Sequence, residues 1–242
     1  AVMSIARSAA AYGMPLIGIK HGYNGLLRKS TSIKDDLQEL YLDTVLDIAD
    51  QPGTYLRTAR CEEFKDPKWR EIAVQTLKAM EIDGLVVIGG DGSFQGAMRL
   101  CELGIPCIGI PGTIDNDLAY TEMTLGYETA VQVCTEAIRA IRATSRSHDR
   151  PHVVECMGRH CGDIALKACA TGSEIVVVPE VPWSVEEVAS RLNKQIAKGN
   201  YRSTIVLAEG CWESMAPFDM YGFLTSHGKQ CFEGEPMSAM RF

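Results

Sequence analysis

The sequence predicts an α/β fold made of two doubly wound domains with parallel sheets, and three observations indicate this. Short β-branched runs alternate with segments of helical period, which is typical of parallel sheets covered by helices. Loops rich in glycine and aspartate follow two of these runs, at residues 89–93 and 111–117. The 242 residues, 46% of them hydrophobic, are enough to bury one large core or two small ones.

Helix and strand signals define the first half of the chain. Residues 16–19 are predicted as a core strand. An Asp-Pro pair at residues 66–67 predicts a helix that runs to about residue 80, because aspartate supplies an N-cap acceptor and proline fits the first helical position. A strand at 84–88 follows, and a second helix is expected after Ser93. Residues 105–110 form another β-branched run, so the two loops are expected to follow adjacent buried strands.

The second half continues this alternation. Strands are predicted at 151–156, 174–178 and 203–208, and a capping box opens a helix over about 184–198. Apolar side chains that recur every three or four residues predict a helix with one buried face over 128–143: Ala130, Val133, Cys134, Ala137, Ile138 and Ile141.

The loops at 89–93 and 111–117 predict phosphoryl transfer from a nucleotide to an alcohol. Glycines let the backbone approach a phosphate closely, and the helix after Ser93 points its free N–H groups at that anion. Asp91 implies Mg²⁺, because a carboxylate alone would repel the phosphate. Asp115 and Asp117 supply a carboxylate that can take a proton from the attacking hydroxyl.

The chain resembles the ATP-dependent 6-phosphofructokinases over about residues 1–209. Gly-Gly-Asp-Gly-Ser alone also resembles NAD kinases and lipid kinases, whereas Pro-Gly-Thr-Ile-Asp-Asn-Asp is far more specific. The other motifs that carry the resemblance are Thr58-Ala59-Arg60, Ser145-Arg146-Ser147-His148-Asp149-Arg150, Met157-Gly158-Arg159-His160-Cys161-Gly162-Asp163 and Val178-Pro179-Glu180.

The resemblance implies two Rossmann-like domains with the active site in the cleft between them. Residues 1–126 are expected to bind ATP and Mg²⁺, and residues 127–210 to bind the sugar phosphate. Residues 211–242 show no clear hydrophobic period, so no secondary structure is predicted for them. Family members also carry a strand and glycine loop upstream, and a His-x-Gln-Arg-Gly-Gly segment downstream, which this sequence does not contain.

The resemblance also assigns roles to individual residues. Asp115 is expected to be the general base, with Thr113 beside it, and Arg60 is expected to contact the ATP phosphates and the transferred group. The nucleotide and its Mg²⁺ are assigned to Arg60, Cys61, Gly90, Asp91, Gly92 and Ser93, with Asp91 as the metal ligand. Fructose 6-phosphate is assigned to Thr113, Ile114, Asp115, Arg150, Met157, Gly158, Arg159 and Glu209.

Two glycines favour ATP over pyrophosphate as the donor. Pyrophosphate-dependent relatives carry aspartate and lysine at the positions of Gly92 and Gly112, and these side chains crowd the α-phosphate site. Turns also favour glycine for conformational reasons alone. A pyrophosphate-dependent phosphotransferase of the same fold therefore stays open as an alternative. A non-catalytic sugar-phosphate-binding subunit also stays open: Asp91 and Asp115 argue against it, but the upstream and downstream family segments are not in this sequence.

The resemblance implies an oligomer, expected to be a homotetramer, because Arg150 would reach the sugar 6-phosphate of a neighbouring subunit. Arg7 and Arg142 match cations of an effector site for ADP or phosphoenolpyruvate, and Glu174 matches its acidic member. Met3 and Asn200, however, occupy positions where further cations are expected. Weak or absent regulation by these effectors is therefore predicted.

Composition excludes several other function classes. The net charge of −7 argues against nucleic acid or an anionic membrane surface as a partner. No stretch approaches the roughly 18 apolar residues that a spanning helix needs. Nine scattered cysteines without a CxxC pair favour a reducing cytoplasm over a disulfide framework or a zinc site.

Overall fold

The computed structural model describes residues 1–27, 36–51 and 53–211, which form an α/β protein as predicted. The chain divides into two compact units, which meet between Ile110 and Pro111. The sequence placed a boundary later, near Gly126. The loop that precedes Gly126 belongs to the second unit because Ile114 packs against that unit's core. Of the segment 211–242, everything beyond residue 211 lies outside the described residues.

The first unit contains helices and strands in alternation. Its elements are α1 (Val2–Ala11), β1 (Ile17–Ile19), a 3₁₀ helix (Gly22–Leu26), β2 (Leu37–Glu39), α2 (Leu42–Leu46), a second 3₁₀ helix (Glu62–Lys65), α3 (Pro67–Ala79), β3 (Leu85–Gly89), α4 (Asp91–Glu102) and β4 (Cys107–Pro111).

Two predicted helices of this unit form where local chemistry favours them. The Asp66 side chain accepts the Lys68 N–H at 2.9 Å and Pro67 occupies the first helical position, so the predicted start of α3 is confirmed. The helix expected after Ser93 begins earlier, at Asp91, with Gly90 as its N-cap. The first turn of α4 therefore includes Asp91 itself.

The sheets of the first unit differ in two ways from the prediction. β1 pairs antiparallel with β2, an element that was not predicted because Leu37-Gln38-Glu39 is too polar to signal a buried strand. β3 and β4 are hydrogen-bonded neighbours as expected. They are not fully buried, since Val86 is 43% and Ile108 68% exposed; in the described residues this sheet has only these two strands.

The second unit is built on a parallel sheet, which confirms the predicted topology there. Its strand order is β5-β7-β6, with β7 paired on both sides and buried along its whole length. The elements of this unit are α5 (Tyr127–His148), β5 (His152–Cys156), α6 (Asp163–Cys169), β6 (Ile175–Val177), α7 (Val185–Ala197) and β7 (Thr204–Ala208).

The helix α5 is longer than predicted, and its buried face is rotated from the expected one. Ile138 is fully buried as expected, but Val133 is 60% exposed. Polar Thr135 and Ser145 occupy the buried face instead, and an apolar pattern cannot identify them. Within the described ranges, no helix is long and apolar enough to cross a membrane.

Candidate active site

The loop between β3 and α4 presents a helix N-terminus with a carboxylate on it. Asp91 is exposed in the first turn of α4, and its Oδ2 accepts a hydrogen bond from Gln95 Nε2 at 2.7 Å. Most N–H groups of a first helical turn have no partner within the helix, and the helix dipole is positive there. In α4 the Ser93 N–H already donates to the Gly90 carbonyl at 3.0 Å. This end of α4 is therefore suited to bind phosphate oxygens.

Tyr23 fixes this helix end, although the sequence did not indicate it. Its hydroxyl donates to the Ser93 carbonyl at 2.5 Å, and its ring stacks on Phe64 with centroids 4.1 Å apart. A Cβ at Gly96 would lie 2.5 Å from the Tyr23 ring, so this helical glycine is required by close packing. A glycine inside a helix was the one available signal. Burial raises the pKa of Tyr23 well above its usual range, so the hydroxyl stays protonated and can donate.

The residues around Asp91 fit a magnesium ion shared with a ligand. Mg²⁺ prefers oxygen donors and needs only one or two carboxylates when phosphate oxygens and waters complete its octahedron. Among the described residues there is no group of three or more His, Cys, Asp or Glu side chains that could hold a metal alone. A cation at Asp91 would therefore depend on phosphate oxygens, as expected for a nucleotide complex.

Asp115 is the centre of a polar group in the second unit. Thr113 Oγ1 donates to Asp115 Oδ2 at 3.1 Å, and the Asp115 N–H donates back to Thr113 Oγ1 at 3.2 Å. Burial raises the pKa of Asp115, and the charges of Asp117 and Glu209 raise it further. The Thr113 hydrogen bond and the Arg159 charge lower it. A half-buried carboxylate with a raised pKa has the basicity that proton abstraction needs.

Glu209 holds residues 157–162, here called the Met-Gly-Arg loop, which faces Asp115. It follows β7, and its Oε1 accepts the backbone N–H groups of Gly158 at 3.1 Å and Arg159 at 2.5 Å. Gly158 has a φ of +142°, which only glycine adopts readily. A Cβ at Gly210 would lie 2.2 Å from the Arg159 carbonyl oxygen, so the two segments pack without space for a side chain.

The structure brings some predicted residues together. Thr113, Asp115, Arg159 and Glu209 form one electrostatic group in the second unit. Met157, at the start of the Met-Gly-Arg loop, is 58% exposed.

Other predicted residues make local contacts elsewhere in the sequence. Arg150 is exposed just beyond α5, and its carbonyl lies 3.0 Å from His152 Nδ1. Arg60 belongs to the first unit and is exposed, and its carbonyl accepts from Asn24 Nδ2 at 3.1 Å. Cys61, beside Arg60, packs against the core of the first unit.

The residues predicted to bind effectors are divided between the two units. Arg7 is exposed on α1 in the first unit. Arg142 and Glu174 form an ion pair at 3.2 Å in the second. They lie in a small cleft of about 180 Å³, whose lining is Arg142, Arg146, Glu174, Asn200 and Arg202.

Three residues that hold this site together were not among the predicted site residues. Asn116 donates to Asp163 at 3.0 Å, and Glu180 Oε1 accepts the Gly162 N–H at 2.7 Å. All three lie in motifs that the sequence singles out, but their partners are distant along the chain. Residue spacing alone therefore could not assign their contacts.

Comparisons with known proteins test the resemblance. The sequence model described as "Phosphofructokinase" matches residues 1–233. An ATP-dependent 6-phosphofructokinase from Clostridioides difficile is 53% identical over 211 residues, which cover 87% of this chain and 64% of that protein. Another, from Alkaliphilus metalliredigens, is 48% identical with the same coverage of both chains.

The fold comparison agrees with the sequence comparison. The structure of phosphofructokinase from Saccharomyces cerevisiae is similar with a TM-score of 0.76 and 33% identity, over 86% of this chain and 31% of that one. This chain spans 64% of the length of the curated relatives it matches. Since the family model matches nearly the whole sequence, the resemblance is confirmed, and the chain belongs to the phosphofructokinase family.

Proposed function

We propose that this protein transfers the γ-phosphoryl group of ATP to the C1 hydroxyl of D-fructose 6-phosphate, a step of glycolysis. The observation that carries the proposal is the half-buried Asp115 carboxylate, oriented by Thr113 and facing Arg159 and Glu209. The curated relatives named as ATP-dependent 6-phosphofructokinases support the choice of donor and acceptor. Such an enzyme acts in the cytoplasm.

In this proposal Asp115 accepts the proton of the C1 hydroxyl. The hydroxyl oxygen forms a bond to the γ-phosphorus while the bond to the leaving ADP oxygen breaks. Arg60 and the first-turn N–H groups of α4 stabilise the charge on the phosphoryl group during transfer. Phosphoryl transfer depends mostly on positioning and electrostatics, so a few well-placed groups of this kind can provide much of the catalysis.

The two units supply different ligands to the reactants. The first unit binds ATP through Arg60, Cys61 and residues 90–93. Asp91 would hold Mg²⁺, which when bound neutralises charge on the triphosphate. The second unit binds the sugar through Thr113, Ile114, Asp115, Met157, Gly158, Arg159 and Glu209. Arg150 binds the 6-phosphate of a neighbouring subunit, so the active protein is a homo-oligomer. We propose a tetramer, as the family resemblance implies.

ATP rather than pyrophosphate is expected to be the donor, because Gly92 leaves space at the first turn of α4. An added Cβ at Gly92 would meet nothing within 4 Å, so packing does not require glycine there. Gly92→Asp should therefore fold but place a carboxylate at the nucleotide phosphates. We expect it to lower kcat/KM for ATP by about 10²-fold, because the added carboxylate crowds the α-phosphate site and repels its charge.

The measurement is a coupled assay of the full-length protein with Mg²⁺, fructose 6-phosphate and either ATP or pyrophosphate. Gly92→Ala is the matched control and should retain most activity with ATP, because a methyl group fits the open space. Comparable kcat/KM values for both donors would contradict the choice of ATP. Binding of fructose 6-phosphate without turnover from either donor would instead indicate a regulatory subunit.

Weak effector control is expected because two of the three arginines that line the cleft near Arg142 already have acidic partners. Arg142 pairs with Glu174 at 3.2 Å, and Arg202 Nε donates to Asp149 at 2.7 Å. Asn200 also lines the cleft and contributes no charge. Each missing charge-assisted hydrogen bond costs about 1.5–3 kcal/mol, or one to two powers of ten in affinity.

Velocity against fructose 6-phosphate, measured with and without ADP or phosphoenolpyruvate, tests this expectation. The curves should shift little at sub-millimolar effector. A sigmoidal curve that becomes hyperbolic on addition of ADP would show that neighbouring cations, such as Lys198, replace the lost charge.

A further inference from the structure

Asn116 controls the loop that carries Asp115. It has a left-handed backbone with a φ of +55°, which asparagine tolerates better than most residues. Its Oδ1 accepts the Thr124 N–H at 3.0 Å, and its Nδ2 donates to Asp163 Oδ2 at 3.0 Å. A backbone N–H can only donate, so the Thr124 contact fixes the orientation of the amide. The orientation of Asp115 therefore depends on Asn116, whose side chain is hydrogen-bonded to Asp163.

Asp163 is well placed to serve as an anchor. It is the first residue of α6 and directly follows the Met-Gly-Arg loop. The residue before it is also fixed, because the Gly162 N–H donates to Glu180 Oε1 at 2.7 Å. The half-buried Asp163 lies close to the buried Tyr127; burial, together with this acidic neighbour, raises the pKa of Tyr127 to about 12. Asp163 thus belongs to a segment whose position is fixed by contacts that do not involve Asn116.

We propose that Asp163 is a positioning residue for phosphoryl transfer, whose carboxylate holds Asn116 and thereby fixes Asp115 relative to the Met-Gly-Arg loop. This inference rests on the proposed function, in which Asp115 takes the proton of the sugar hydroxyl. Loop 111–117 and the Met-Gly-Arg loop are far apart in sequence, and the bond between Asn116 and Asp163 joins them directly.

The catalytic consequence follows from the geometry of proton transfer. A general base must lie within hydrogen-bond reach of the hydroxyl it deprotonates. A displacement of about 1 Å costs roughly 10²-fold in rate. If Asp163 is lost, Asn116 no longer ties the loop to α6, and its bond to the Thr124 N–H is held less firmly. Asp115 then samples positions outside that reach, while the nucleotide residues of the first unit are unaffected.

Asp163→Ala in the full-length protein is the first test. We expect kcat with ATP and fructose 6-phosphate to fall about 10- to 100-fold, with little change in KM for ATP. Asp163→Asn should retain most of kcat, because the asparagine Oδ1 can still accept from Asn116 Nδ2. Amide hydrogen exchange at Thr124, measured without substrates, should accelerate in Asp163→Ala and stay slow in Asp163→Asn.

An exchange of the two side chains separates positioning from folding. Asn116→Asp places a second carboxylate against Asp163 and should lower kcat. Adding Asp163→Asn restores the pair with the roles exchanged: the amide at position 163 now donates to the carboxylate at position 116. The carboxylate at position 116 can still accept the Thr124 N–H. The double variant should therefore recover a substantial part of the lost kcat.

Lys167→Met is the matched control, since Lys167 lies one turn after Asp163 on the same face of α6 but contacts Glu128 and Tyr127 instead of Asn116. Lys167 Nζ lies 3.3 Å from Glu128 and 4.7 Å from the Tyr127 ring centroid. This variant should lower Tm at most and leave kcat unchanged. Such a result would show that a weakened α6 alone does not reduce turnover.

Three outcomes would overturn the positioning role of Asp163: wild-type kcat in Asp163→Ala, no recovery in the double variant, or unchanged exchange at Thr124 in Asp163→Ala. If Asp163→Ala does not fold, the exchanged pair and Asp163→Asn still decide the question. A wild-type protein that is inactive with ATP and fructose 6-phosphate would overturn the proposed function instead. The exchange measurement at Thr124 would still report whether Asp163 anchors the loop.

Discussion

Asp115→Asn is expected to lower kcat by about 10²–10⁴-fold, the usual contribution of general base catalysis. Asparagine has nearly the same shape as aspartate, and its Oδ1 can still accept from Thr113 Oγ1, which lies 3.1 Å from the carboxylate. It cannot, however, accept the hydroxyl proton. The Michaelis constants should change little, because the side chain still fills the same space. More than a third of wild-type turnover in this variant would reject Asp115 as the base.

The pH dependence of the wild-type protein provides an independent check on Asp115. Activity needs the ionised carboxylate, so kcat should fall as the pH drops through the pKa of Asp115. Burial raises this pKa. The acid limb of the pH–kcat profile should therefore lie at a higher pH than the usual pKa range of an aspartate. The charge of Asp117 raises the same pKa. Asp117→Asn should accordingly move the acid limb to lower pH, and a shift to higher pH would contradict this electrostatic arrangement.

Local chemistry explains why much of the fold could be predicted from sequence. The start of α3 depends on Asp66 and Pro67 alone, and both residues act as their types predict. The buried parallel strands of the second unit are continuous apolar runs. The buried face of α5 could be predicted only in part. It includes the polar Ser145, whose hydroxyl is hydrogen-bonded to His152, and an apolar pattern does not identify such a residue.

The candidate site, too, could be predicted only where local sequence carries the signal. The glycine and aspartate loops could be recognised from sequence because their residue types and order are those expected of a phosphate-binding loop. Tyr23 and Asp163 could not, because their roles depend on contacts with Ser93 and Asn116, which are distant in sequence. Motifs thus identify candidate ligand-binding residues, whereas the residues that position them are found only in the tertiary structure.

The second large effect is expected at Glu209, whose carboxylate holds the Met-Gly-Arg loop. Glu209→Ala leaves the N–H groups of Gly158 and Arg159 without the acceptor that now lies at 3.1 and 2.5 Å. A hydrogen bond to a charged group contributes about 1.5–3 kcal/mol, so losing two costs at least about 3 kcal/mol. We therefore expect kcat/KM for fructose 6-phosphate to fall by about 10²-fold or more, since about 1.4 kcal/mol corresponds to a factor of ten.

Glu209→Gln distinguishes the loop contact from the charge. The glutamine Oε1 can still accept both N–H groups, so most of the sugar affinity should be retained. Both variants remove the negative charge that helps raise the pKa of Asp115, and their acid limbs should shift alike to lower pH. The difference between them in sugar affinity therefore isolates the two backbone hydrogen bonds. Calorimetric binding of fructose 6-phosphate measures it, and equal affinities for the alanine and glutamine variants would show that Glu209 does not hold the loop in its binding conformation.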